Sequence, residues 1–170
     1  RYCGLIIHNV KVGPSPEWLQ KKLKSTGHGT HNNIVDVTNY VMLELGQPMH
    51  AFDQNKISKG IIIRTAKKGE TIACLDNQTR ELNEHMLVIA DHDKPIAIAG
   101  IIGETNSAID DSTTSIILES ANFNSSSVRK TSTKFMLRTD AVQRFEKALD
   151  PNLCELAIKR AAELIIKICP

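Results

Sequence analysis

Three places in the sequence carry residue types suited to chemistry. His50 follows Gly46-Gln47-Pro48-Met49 in a loop that runs on to Asp53, too irregular for a helix and too polar to be buried without purpose. Gly100-Ile101-Ile102-Gly103 is a glycine-bracketed loop at the end of an apolar run. Glu119 comes directly after Ser115-Ile116-Ile117-Leu118. A carboxylate that interrupts a strand's apolar run is costly unless it is paired or meets a polar ligand. Singly, each place also has a structural explanation: a hydrogen-bonded histidine, a tight turn, an exposed strand end.

Other patterns are incomplete. Ser127-Val128-Arg129-Lys130 matches the S-x-x-K of penicillin-recognising enzymes, but the partner motifs S-D-N and K-T-G are absent. Gly100 to Gly103 also fits a G-x-x-G backbone clamp, yet lacks the flanking helices of a nucleic-acid module. No P-loop or Rossmann fingerprint occurs, so nothing points to ATP chemistry in this chain. Cys3, Cys74, Cys154 and Cys169 lie far apart without a C-x-x-C pair, and His28 and His31 form a lone H-x-x-H. Zinc sites want closely spaced ligand pairs, so the cysteines are read as buried reduced thiols and no metal site is expected.

The elements that must position these residues follow from periodicity. Tyr2 to Val12 reads as a strand, broken by Gly13-Pro14-Ser15-Pro16. Ser15 is expected to cap the next helix, with Pro16 at its first position and Leu19 and Leu23 on its buried face. Ile34, Val37, Val41 and Leu45 recur at helical spacing, predicting a helix from about Asn33 to Leu45 that stops at Gly46. Short strands are expected at 61–66, 71–75, 79–82 and 87–90, separated by turn residues. Pro95 to Ile101 is nearly all apolar and so reads as a central strand, and Ser115 to Leu118 as another. Two helices close the chain, at 140–149 and after Asp150-Pro151. Helices at both ends around a block of strands define an α+β class, with a mixed sheet or sandwich core flanked by helices.

Bulk composition narrows the possibilities. At 170 residues the chain fits one domain of ordinary size, and 41% hydrophobic with 24% charged residues is ordinary globular composition. Aromatics are only 4%, so Ile, Leu, Val and Ala must build the core. A net charge of +2 speaks against a broad duplex-binding face, though a nucleic-acid terminus in a pocket needs few phosphate contacts. No apolar run reaches the roughly 18 residues of a membrane span. The opening at Arg1 without Met is read as a domain excised from a longer protein.

The run from Asn32 to Asp53, with Asp36-Val37-Thr38-Asn39-Tyr40-Val41 and Glu44-Leu45-Gly46-Gln47-Pro48-Met49-His50-Ala51-Phe52-Asp53, resembles the signature of bacterial-type phenylalanyl-tRNA synthetase β subunits. Ala99-Gly100-Ile101-Ile102-Gly103, Leu118-Glu119-Ser120-Ala121, Leu137-Arg138-Thr139-Asp140-Ala141 and Arg144-Phe145-Glu146 follow in the family's order. The resemblance covers essentially the whole chain and is to the third and fourth domains of that subunit, its editing module. It implies hydrolysis of tyrosine wrongly esterified to the phenylalanine tRNA. By position it implies that Glu119 accepts the tyrosine hydroxyl's hydrogen bond and that backbone near Gly103 helps bind it. Thr139 and Ala141 would line the pocket, and His50 would position the attacking water or act as its base. The implied partners are the tRNA 3′ end, the synthetase α subunit and the remaining β-subunit domains, in the cytoplasm and without a membrane. ATP and magnesium belong to the whole enzyme, with no cofactor in this domain.

Four positions depart from the family's pattern. Gly29 stands where an arginine is usual, Glu104 where a second loop glycine is usual, Met136 where a glycine is common and Val142 where a serine is common. The alternative reading is therefore a structural module of the same synthetase in which editing has decayed.

Overall fold

The computed structural model describes residues 1–169. In chain order the elements are β1 (Tyr2–His8), α1 (Glu17–Ser25), α2 (Asn33–Leu45), β2 (Met49–Asp53), β3 (Ile62–Thr65), β4 (Thr71–Ala73) and β5 (Thr79–Glu81). There follow β6 (Leu87–Ala90), β7 (Pro95–Ile98), β8 (Ile102–Gly103), β9 (Ser115–Ala121), α3 (Ser125–Phe135), α4 (Asp140–Phe145) and α5 (Leu153–Ile168). They form two compact units, and the chain passes between them repeatedly. The first holds Arg1–Asn55, Ile109–Asn122 and the stretch from Leu149 onward; the second holds Lys56–Ala108 and Phe123–Ala148. The α+β class is as expected, and the strand pairs are antiparallel rather than mixed.

In the first unit β9 is the middle strand of a three-stranded sheet ordered β1-β9-β2. Ile116 and Leu118 of β9 and Ala51 of β2 join a core with Leu19 and Leu23 of α1, Ile34, Val37 and Val41 of α2, and Ala157, Ala161 and Ile165 of α5. The α2 helix is bounded as its sequence predicts. The Asn32 side chain accepts from the N–H groups of Ile34 and Val35, and Gly46 ends the helix at φ 79°. Ser15 does not cap α1: Pro16 is the N-cap, without a side-chain bond. The Ser15 hydroxyl instead donates to Asp36, whose other oxygen accepts the His31 N–H. Ser15 and Asp36 are both buried, so pairing them outweighs a cap on an exposed helix start.

In the second unit the sheet order is β3-β6-β7-β8, with β4 and β5 as a separate pair. All four residues of β7 are buried, as an interior strand requires. Helix α3 is not foreseen from sequence, because Ser125-Ser126-Ser127 and Thr131-Ser132-Thr133 mask its period. Asn124 starts it by accepting the Ser127 N–H at 3.0 Å. Gly100 turns the chain at φ 71°, and a Cβ there would stand 3.0 Å from both Phe123 and Phe145. Only glycine satisfies both conditions.

Candidate active site

The ladder of the first unit brings two of the predicted residues side by side. Glu119 on β9 is directly opposite Gly4 on β1 and His50 on β2. Directly opposed residues of antiparallel strands point to the same face, with Cβ atoms roughly 4.5–5.5 Å apart. Because Leu118 and Ala51 face the helices, Glu119 and His50 face the other way. His50 lies on a strand rather than in the expected loop, and β9 runs on past Leu118 to Ala121, so that Glu119 sits inside the strand and the exposed strand end falls away as its explanation.

Glu119 is only 6% exposed. Its Oε2 accepts the hydroxyl of Tyr2 at 2.7 Å. Tyr2 lies two residues before Gly4 on β1 and shares its face, so the ring can reach across the place where a Gly4 side chain would be. A Gly4 Cβ would stand 3.8 Å from Tyr2 Cε1. Among the described residues Tyr2 is the partner of this carboxyl, and Oε1 has none. Burial raises Glu119 to about 7, while the bond from Tyr2 pulls the other way. Burial first, and then the adjacent Glu119, drives the Tyr2 phenol far above its ordinary range.

The His50 ring meets Phe52 edge-on, with centroids 4.5 Å apart. It is partly exposed, and among the described residues its nitrogens make no hydrogen bond. Although the residue keeps some exposed surface, the protein packed around its ring desolvates it and lowers His50 to about 4, leaving the imidazole neutral at physiological pH. Among the described residues Ser120 Oγ is the buried side-chain polar atom without a partner, so the open oxygen of Glu119 and the His50 ring nitrogens reach solvent instead; an acid and an imidazole with accessible bonding capacity on one sheet face suit a polar ligand. Sequence reasoning missed Tyr2. The signal was there in the alternation of β1, which puts a phenol and a glycine on one face two residues apart.

The other predicted residues lie in the second unit. Gly103 is buried on β8, and its carbonyl accepts the Leu75 N–H at 3.1 Å. Thr139 caps α4: its Oγ1 accepts from Val142 N–H at 3.2 Å and donates to the Ile101 carbonyl at 3.1 Å. That bond ties the start of α4 to the Gly100–Gly103 turn. Ala141 is partly exposed on the first turn of α4 and Val142 is buried beside it.

Of the departing residues Glu104 and Met136 have structural accounts, and nothing in the structure explains Gly29. Glu104 is buried and saturated: Lys94 Nζ at 2.9 Å, Asn106 Nδ2 at 2.7 Å and Ser107 N–H at 3.0 Å all donate to its carboxylate. Met136 ends α3 in the left-handed region at φ 53°, 91% exposed. A Cβ on Gly29 would meet nothing within 4 Å. Among the described residues, no cluster of three or more His, Cys, Asp or Glu is placed to hold a metal ion. No helix among them is long and apolar enough to cross a membrane.

The chain as a whole belongs to a recognised class of domain. Residues 1–170 match the B3/4 domain model, and the chain belongs to that family. It is 54% identical over 169 residues to the phenylalanine–tRNA ligase β subunit of Carboxydothermus hydrogenoformans, covering 99% of this chain and 21% of that protein. It is 48% identical over 167 residues to the same subunit of Aquifex aeolicus, covering 98% of this chain and 22% of that protein. The chain thus spans about a fifth of the length of these relatives, at 21% and 22%. An N-terminal fragment of the phenylalanyl-tRNA synthetase β subunit from Pyrococcus horikoshii shares the fold, with a TM-score of 0.51 at 14% identity over 71% of this chain and 38% of that one.

Proposed function

We propose that this chain is the editing module of a phenylalanine–tRNA ligase β subunit and hydrolyses tyrosine wrongly esterified to the phenylalanine tRNA. The observation that carries the reading is the open carboxyl oxygen of buried Glu119 beside the unpaired imidazole of His50. A synthetic site that accepts phenylalanine rejects tyrosine poorly, because an added hydroxyl in an apolar pocket is weakly excluded. A second site with a buried acceptor reverses the preference. Phenylalanine would leave that acceptor unpaired, at about 1–3 kcal/mol for a neutral group and more for a charge. Glu119 already accepts a phenol, that of Tyr2, so its surroundings suit this donor.

In the reaction, water adds to the ester carbonyl, the bond to the ribose oxygen breaks, one water proton restores the ribose hydroxyl, and tyrosine leaves as its carboxylate with the other proton released to solvent. An imidazole held near 4 is a weak base. His50 therefore serves by orienting the attacking water, with the terminal ribose hydroxyl assisting. Gly103, Thr139 and Ala141 are taken as substrate-binding residues. The partners in this reading are the 3′ end of the tRNA, the α subunit and the remaining β-subunit domains, in the cytoplasm. ATP and magnesium serve synthesis elsewhere in the enzyme.

A structural module without hydrolysis is the second reading. It is favoured by Gly29, which offers no guanidinium to anchor the tRNA end. Deacylation of tyrosine from the phenylalanine tRNA by the whole enzyme separates the two. Glu119→Ala is expected to slow it by roughly 10- to 100-fold and His50→Ala by roughly 100-fold. Equal rates in wild type and both variants would retire hydrolysis.

A further inference from the structure

We infer that Tyr2 is a positioning residue for Glu119: its hydroxyl fixes Oε2, holds the carboxyl as an acceptor and leaves Oε1 to receive a substrate phenol. The inference rests on the editing reading and names the residue that sets its specificity. Its basis is the geometry of one sheet face. Gly4 is the residue directly opposite Glu119, and it has no side chain. The Tyr2 ring uses that space to place its oxygen 2.7 Å from Oε2. A carboxylate has two oxygens and can accept more than one donor, so one bond from Tyr2 orients the group without filling it.

The bond also weights the protonation state: burial still raises the carboxyl to about 7, and the bond from Tyr2 draws it back toward the ionised form. On the sheet face Glu119 is flanked by titratable groups from both neighbouring strands, Tyr2 of β1 and His50 of β2. His50 is neutral, so it supplies no charge to hold the carboxylate ionised. Tyr2 remains a donor throughout the physiological range, and donation favours the ionised acid. An ionised Glu119 can only accept, which rewards a hydroxyl and penalises a bare ring. Without the phenol oxygen, burial alone would act and the carboxyl would keep its proton to higher pH.

The test is a comparison of tyrosyl- and phenylalanyl-tRNA deacylation by the whole enzyme across pH 6 to 9. Tyr2→Phe keeps the ring and removes only the oxygen. It is expected to lower the preference for the tyrosyl ester at pH 7 by roughly tenfold, mostly through KM, with recovery as pH rises. Gly4→Val, which puts methyl groups where the ring lies, should reproduce the defect, whereas Gly4→Ala should not. A purely structural role for Tyr2 would lower activity on both esters equally and leave the pH profile in place, overturning the inference. Wild-type behaviour of Tyr2→Phe alongside an inactive Glu119→Ala would overturn it while sparing editing. Identical rates for wild type and Glu119→Ala would overturn both.

Discussion

Two glutamates, one in each unit, are nearly equally buried, at 6% for Glu119 and 3% for Glu104, yet their surroundings differ completely. Glu104 closes a loop on itself, taking a lysine, a side-chain amide and a backbone N–H from residues within ten positions. Glu119 stands in the middle strand of a sheet with one phenol bound and one oxygen open. Burial depth therefore says little about purpose. What distinguishes a carboxylate that holds a fold together from one suited to a ligand is how many of its acceptor positions the protein itself fills.

The largest effect is expected at the saturated glutamate. Glu104→Ala leaves the buried Ser107 N–H and the Asn106 amide without their acceptor. Lys94, 44% exposed, can turn to water and softens the loss. Urea denaturation should show about 3 kcal/mol of destabilisation, in keeping with broken buried polar networks. A loss under 1 kcal/mol would erase the contrast between the two sites.

The open glutamate should behave in the opposite sense. A carboxyl raised from 4.5 to about 7 binds its proton more tightly in the folded state, so it lowers stability as pH climbs from about 4.5 to about 7, and the deficit persists above that. Glu119→Gln removes the charge and keeps an oxygen for Tyr2. It is expected to stabilise the protein by about 2 kcal/mol at pH 8, with the gain fading by pH 5. Denaturation midpoints at both pH values decide it, and destabilisation at pH 8 would show that the ionised carboxylate has more partners than Tyr2 alone. His50 acts at the other end: held near 4, it favours folding above about 6.5 and withdraws that support as pH falls toward 4.

The smallest effect calibrates the rest. Met136 occupies a left-handed helix end with its side chain in solvent. Met136→Gly should stabilise by about 1 kcal/mol in thermal or chemical unfolding, since only the strain of a Cβ is relieved. No change would mean that the α3 terminus adjusts freely.

Much of this was legible in sequence, and the misses have physical causes. The spacing of Ile34, Val37 and Val41, the Asn32-Asn33 start and Gly46 defined α2 because cap, period and stop agreed. Strand β2 was hidden by Pro48 and by the polar residues His50 and Asp53, which belong there because of what lies across from them on β9. Helix α3 was hidden by its serines and threonines. Glu119 stood out as an anomaly, but its pairing with His50 is set by register between residues far apart in the chain, which local pattern cannot reveal. The same holds for Tyr2. The division into two units was also concealed, since each is assembled from separated stretches.

That interleaving matters for the growing polypeptide. Strands β1 and β2 have no common neighbour until β9 is made, and most of the second unit is translated in between. The ribosome must therefore release residue 119 before imidazole and carboxyl can meet, and until then β1 and β2 wait without the strand that joins them, open to mispairing. A nascent chain stalled before that point would expose these edges to chaperones and would hold no competent site.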